Sequence, residues 1–210
     1  MIIRIIVIIA AFFLLSETAW GQKYRNEDFF SASMHLGINT LPRPKNPDIK
    51  PASVGFNLHT HFAYKVNYFW GMRADLAFNL FNSTQKPNVK GMQIGLSGYL
   101  DLLQFGTEGY VERIGEFSLY AYSGMGIASS WEKRRLSGDT KYISGNDDMM
   151  YFNIGLIPRQ RIGKLTTINF DLGYNIVFFH DRFFDGSGVM PKKRPGGFFA
   201  MNIGVTYEFK

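Results

Sequence analysis

Four histidines are the residues of this chain best suited to proton or metal chemistry. His59 and His61 stand two apart around Thr60, a spacing that puts both rings on one face of a β-strand. A tetrahedral metal site takes three or four protein ligands. No third ligand is evident along the chain, so the pair is expected to be polar side chains with no metal. His35 lies in a similar alternating segment and takes the same reading. His180-Asp181 sets a base beside a carboxylate, as a hydrolase does. A serine nucleophile, however, needs a His within hydrogen-bond reach and a third group orienting that His, and no spacing here supplies all three. Phosphate-binding loops, dinucleotide fingerprints, zinc-protease helices and calcium loops have no counterpart. Gly145-Asn146-Asp147-Asp148 is acidic without the calcium-loop spacing, and is expected at a loop tip. The chain has no cysteine, which excludes disulfides, thiolate zinc sites, Cys nucleophiles and a lipidated Cys. The expectation is no enzyme, no cofactor, and no catalytic, cofactor-binding or metal-binding residue.

The elements that position these residues alternate with period two, the strand signature. Phe30, Ala32, Met34, Leu36 and Ile38 oppose Ser31, Ser33, His35, Gly37 and Asn39. Val54, Phe56, Leu58, Thr60, Phe62 and Tyr64 oppose Gly55, Asn57, His59, His61 and Lys65. Further strands carry Trp70 to Leu80 against Arg73, Asp75 and Asn79, and Met92 to Leu102 against Gln93, Ser97, Tyr99 and Asp101. In the second half, Phe117 to Trp131 oppose Glu116, Ser118, Tyr120, Tyr122 and Ser130. Phe152, Ile154 and Leu156 oppose Tyr151, Asn153 and Gly155. Ile168 to Phe178 oppose Asn169, Asp171 and Asn175, and Phe199 to Phe209 oppose Asn202, Thr206 and Glu208. The pattern predicts eight strands, most of them longer than soluble sheets use and long enough to cross a bilayer when tilted.

The connections alternate too. Val66–Phe69 and Arg161–Leu165 are short. Leu41–Pro51, Ser83–Lys90, Glu132–Asp148 and His180–Gly196 are polar, and mostly long. Phe105–Ile114 is a longer link that fits a tight turn least well. Short turns on one side and long loops on the other are the habit of membrane barrels.

Residues 1–21 read as a cleaved signal peptide. Arg4 precedes the unbroken apolar run Ile5 to Leu15, too short to span a bilayer, and Ala19 and Gly21 offer small residues before cleavage at Gln22. An uncleaved anchor is the alternative. Removal takes away Arg4 and Glu17, so the formal charge of +6 is unchanged. Residues 22–210 form one domain.

Alternation alone does not say which face points inward. A soluble ligand-binding barrel would turn its apolar face in; a membrane barrel turns it out. Three features favour the membrane barrel. The strands are long. Aromatics gather at strand ends, with Tyr68, Phe69 and Trp70 at one rim and Trp131, Phe178 and Phe179 at the other. The polar face carries both signs of charge, so Arg73, Asp75, Asp101, Glu116, Asp171 and Glu208 are expected to pair in a filled interior. Charge at Leu76 or Ile127 should therefore be costly, and at Asn79 or Ser118 milder. The expected fold class is all-β, an eight-stranded antiparallel up-and-down transmembrane β-barrel.

The final run Gly204-Val205-Thr206-Tyr207-Glu208-Phe209, with Lys210 after it, resembles the C-terminal signal of outer-membrane proteins. Over roughly Asp28 to Lys210 the chain resembles the small outer-membrane β-barrel family of bacteroidete-type bacteria, with OmpA- and OmpX-like architecture. The resemblance implies residence in the cell outer membrane, contact with its lipid and lipopolysaccharide, and reading of the last strand by the barrel-assembly machinery. It implies a structural or interaction barrel without catalysis, since eight strands are too few for a diffusion channel. Length, signal peptide, strand count and the run Leu36-Gly37-Ile38-Asn39 are also similar to PorT-like proteins, accessories of type IX secretion, which implies a possible protein partner in a secretion or envelope complex. Lipid A-modifying outer-membrane enzymes share the architecture, but their His-x-Ser has no counterpart here: Thr60 lies between His59 and His61, and Leu36-Gly37 follows His35. The basic excess is spread over loops, at Arg43, Lys45 and Lys50, Lys86 and Lys90, Lys133, Arg134 and Arg135, and Lys192, Lys193 and Arg194. That dispersal suits phosphates of lipopolysaccharide and gives no reason to expect nucleic acid.

Overall fold

A computed structural model describes residues 29–40, 54–67, 69–81, 89–105, 117–135, 142–179 and 195–209. The alternating segments form β1 (Phe29–Thr40), β2 (Val54–Lys65), β3 (Trp70–Phe81), β4 (Val89–Asp101), β5 (Phe117–Arg135), β6 (Tyr142–Arg161), β7 (Thr166–Phe178) and β8 (Gly196–Phe209). Each pairs antiparallel with the next, and β1 pairs with β8, so the sheet closes. Closure leaves no free edge, and every strand interior finds its backbone partners on both sides, as a lipid-immersed sheet requires.

The apolar face points outward. Phe62 is 69% exposed, Leu96 63%, Ile127 64% and Ile203 60%, while Arg73 is 2% and Asp171 1% exposed. A continuous apolar exterior of this size is untenable in water and suited to hydrocarbon. The soluble ligand-binding barrel, with its apolar face inward, is thereby overturned. Near the end that holds Phe30 and Phe209, the expected aromatic rim is present. Phe30 lies 4.9 Å from Tyr64, Phe69 6.0 Å from Phe105, and Tyr207 5.1 Å from Phe209. At the opposite end Trp131 and Phe179 stand exposed. Tyr68 lies outside the described residues.

The tight turns form where expected. Between β2 and β3, Asn67 Oδ1 accepts the Phe69 and Trp70 N–H groups at 3.0 and 2.9 Å, an Asx turn. Between β6 and β7, the Ile162 and Gly163 N–H groups donate to the Thr166 carbonyl at 3.0 and 3.2 Å. After β4, Asp101 caps a turn: its carboxylate accepts the Leu103 N–H at 3.0 Å and its carbonyl the Phe105 N–H at 2.9 Å.

One connection differs from the sequence reading. Glu132–Asp148 is strand over much of its length. β5 runs to Arg135, β6 begins at Tyr142, and their ladder is continuous from Arg135↔Tyr142 inward. The ladder to β4 stops at Val89↔Glu132 and that to β7 at Met150↔Phe178. Among the described residues, the β5–β6 hairpin therefore continues past both neighbouring ladders, with Lys133–Arg135 and Tyr142–Ser144 paired only to each other. Gly145 to Asp148 belong to β6, opposite Ser129 to Glu132 of β5, and are not a loop tip. The period-two apolar residues are missing from the sequence Glu132–Arg135 and Ser144–Asp148, so a polar strand there reads as a loop. Lys90 likewise belongs to β4.

Leu76 stands outward midway along β3, between Thr60 and Ile94. Leu76→Arg should destabilise the barrel by about 2–4 kcal/mol in urea unfolding from phospholipid vesicles. An unchanged midpoint would contradict the outward assignment.

Candidate functional site

The lumen is filled by side chains in layers. At the end opposite Phe30 and Phe209, Phe81, Val89, Ala128, Met149, Tyr151, Val177 and Phe198 form a buried apolar plug. Toward the other end Ala63, Tyr99, Tyr120, Tyr122 and Ile157 form a second. Between and beside them lie the polar groups. Water does not screen such a space, so each buried polar group must find a protein partner or remain costly.

The central layer is built around Arg73 and three histidines. Arg73 Nε lies 3.0 Å from Asp75 Oδ1, and Arg73 Nη1 4.0 Å from Asp171 Oδ2. The guanidinium stacks 3.7 Å over the Tyr122 ring. Tyr122 OH donates to Asp171 Oδ1 at 2.8 Å, and Ser97 Oγ donates to Asp75 Oδ2 at 2.6 Å. His59 spans both carboxylates, with Nε2 3.0 Å from Asp75 Oδ1 and Nδ1 3.4 Å from Asp171 Oδ2. His35 and His61 stack beside it, with ring centroids 5.7 and 5.6 Å from His59 and 5.0 Å from each other. Asn169 Nδ2 donates to His35 Nε2 at 3.4 Å and to Thr206 Oγ1.

Strand register explains these meetings. His35 on β1 lies opposite His59 on β2 and opposite Gly204 on β8. A Cβ on Gly204 would stand 2.2 Å from His35 Cδ2 and 2.4 Å from the Met34 carbonyl, so only glycine leaves room for that imidazole. Tyr122 reaches Asp171 across the paired Gly155 and Gly173 of β6 and β7; a Cβ there would come within 2.5 Å of its ring and 2.4 Å of its hydroxyl.

A second ionic group sits nearer the Phe209 end. Arg159 Nη2 and Arg161 Nη2 approach Glu208 at 3.4 and 3.0 Å. Arg159 Nε donates to Asn169 Oδ1 at 3.0 Å, and its guanidinium lies 4.8 Å over Tyr120. At the other end Asn79 is a hub: its carbonyl accepts from Asn39 and Asn57 at 2.6 and 2.7 Å, and its amide donates to Gln93 at 3.0 Å.

Of the interior charges expected from the sequence, Arg73, Asp75, Asp171 and Glu208 are paired. Asp101 is buried and caps a turn. Glu116 and the His180-Asp181 pair lie outside the described residues, as do Arg43, Lys45, Lys50, Lys86, Lys192, Lys193 and Arg194. The structure adds to the sequence reading at three residues. His35 supplies the third imidazole that no linear spacing revealed, because it comes from the neighbouring strand. Asn79 holds an amide hub, so a charge there is expected to cost those three hydrogen bonds as well. Arg159, a member of the ionic lumen, was masked by its closeness to the turn; its position one strand-period inward of Arg161 was the available signal. The serine geometry is unlike a nucleophile's. The Asp75 carboxylate stands between Ser97 and His59, accepting from both, so Ser97 makes no direct hydrogen bond to an imidazole.

A closed outer wall of apolar side chains around a self-paired lumen defines an eight-stranded transmembrane β-barrel of the outer-membrane type. Solved structures agree with that class. Neisserial surface protein A is similar over 87% of this chain and 97% of its own at 10% identity, with a TM-score of 0.56. A major outer-membrane protein from Thermus thermophilus is similar over 88% and 100% at 10% identity, TM-score 0.57. Ail of Yersinia pestis, in complex with the heparin analogue sucrose octasulfate, covers 88% and 100% at 14% identity, TM-score 0.54. The sequence matches no protein-family model and no curated protein.

Arg73→Met would leave Asp75 and Asp171 buried without their guanidinium. The barrel should lose roughly 3–5 kcal/mol in urea unfolding, while its refolded circular dichroism stays that of a β-barrel. A loss under about 1 kcal/mol, the usual worth of an exposed pair, would show that the pair is not buried.

Proposed function

We propose that this protein resides in the bacterial outer membrane as a non-catalytic structural or interaction barrel, exported by its signal peptide and assembled through its last strand. The observation that carries the reading is the extended β5–β6 hairpin set on a plugged lumen. Most interior polar groups are paired with one another, and a cavity beside Arg73 and Arg159 is only about 20 Å³, room for little more than one water. A ligand larger than a single ion or water must therefore bind outside the lumen. The hairpin carries Lys133-Arg134-Arg135 in its sequence, and further basic residues lie in the neighbouring connections. Phosphates of lipopolysaccharide are the complementary chemistry, each contact a charge-assisted hydrogen bond. Ail, with its bound sulfated sugar analogue, is a precedent for a polyanion on this fold. Val205, Tyr207 and Phe209 stand outward along β8, where assembly machinery would read them.

The test is tagged protein extracted from outer membranes in mild detergent. The expected result is lipopolysaccharide co-purifying with the wild type and falling several-fold in a Lys133→Glu, Arg134→Glu, Arg135→Glu variant. Equal retention by both would overturn the hairpin as the contact. Stoichiometric recovery of secretion components, with export lost on deletion, would favour the PorT-like accessory role. Altered lipid A in a deletion strain would overturn the non-catalytic reading.

A further inference from the structure

We propose that His35, His59 and His61 form a lumenal site for one divalent transition-metal ion of the class imidazole prefers, zinc foremost. One ring nitrogen from each of the three lies within 4.8 Å of the others, and all three residues are buried. The placement is fixed by the sheet. His59 and His61 share the inner face of β2, and His35 faces His59 directly from β1, so the rings form a triangle held by backbone hydrogen bonds. A tetrahedral ion with Zn–N bonds of about 2.0–2.1 Å holds its nitrogens about 3.4 Å apart. The widest pair must therefore close by about 1.4 Å, a movement that side-chain rotation supplies without shifting a strand.

Unpartnered atoms point to the same place. His35 Nδ1 and His61 Nδ1 are buried without a hydrogen bond. Each is a competent ligand atom, and such orphans call for an explanation in a native interior. The carboxylates also stand where a metal site needs them. His59 ligating through Nδ1 would keep its Nε2–H on Asp75, a carboxylate–histidine–metal arrangement that fixes tautomer and ring orientation. Asp171 Oδ2, 3.4 Å from His59 Nδ1, is within reach of the fourth position. Asp75 and Asp171 together offset the cation beside Arg73. The 3.4 Å contact from Asn169 to His35 Nε2 is long, and the ring gives it up as its remaining proton moves to that nitrogen. Apolar plugs on either side make the ion slow to exchange and loaded most readily during folding.

The test uses the full chain with a non-histidine tag, refolded in detergent with and without Zn²⁺, then gel-filtered and assayed for bound metal. One zinc per barrel is expected in the protein refolded with the ion. In the His35→Gln, His61→Gln double variant affinity should fall by about 100-fold or more, as loss of two ligands requires, whereas His180→Gln should bind as the wild type does. Folding of each variant is read from heat-dependent mobility in gels. If the double variant does not fold, X-ray absorption at the zinc edge of the wild type decides, with three imidazole ligands expected. Absence of saturable zinc in the protein refolded with the ion, equal binding by the folded double variant, or an oxygen-only shell would each overturn the site.

Discussion

Everything inside this barrel depends on one constraint: a closed sheet of eight strands is too narrow to hold bulk water, so its polar face must satisfy itself. The outer face has a solvent, the hydrocarbon of the membrane. The inner face has only other side chains. Arg73 answers two carboxylates and one aromatic face, and Arg159 with Arg161 answers Glu208. Asp75 and Asp171 are in turn each held by a neutral donor, Ser97 on Asp75 and Tyr122 on Asp171. The outcome is a lumen in which charge is locked in place, and in which removing one member exposes several others.

Filling so narrow a space also needs alternation of size. Tyr122 crosses Gly155 and Gly173, and Tyr151 crosses Gly126 and Gly95. In both cases a ring lies flat over strands whose side chains have been reduced to hydrogen. Gly204 does the same for His35. These flat rings carry the polar layers inward from the wall, and their hydroxyls and nitrogens reach partners two strands away. Register is what makes such contacts possible, and a one-residue slip would turn every one of them into the lipid.

Much of this was legible in the chain. Strand number, order and the two faces follow from period-two alternation, as at His59 and His61 against Phe56, Leu58 and Phe62. Charges such as Arg73, Asp75 and Asp171 on the polar face implied pairing. Three things were not legible. Cross-strand register decides that His35 meets His59, and no linear spacing contains it. Polar strand ends such as Glu132–Arg135 and Ser144–Asp148 read as loop because their sequence carries no period-two apolar face. Glycines opposite tyrosines, such as Gly155 beside Tyr122, look like simple small residues until the partner strand is placed.

The account rests on Arg73 and its carboxylates acting as one buried unit. A double-mutant cycle with Arg73→Met and Asp75→Asn, read by urea unfolding in lipid vesicles, tests that most directly. The account predicts that the two changes are strongly non-additive, with a coupling of about 1–3 kcal/mol. Additivity within about 0.3 kcal/mol, the behaviour of distant and independent sites, would contradict it.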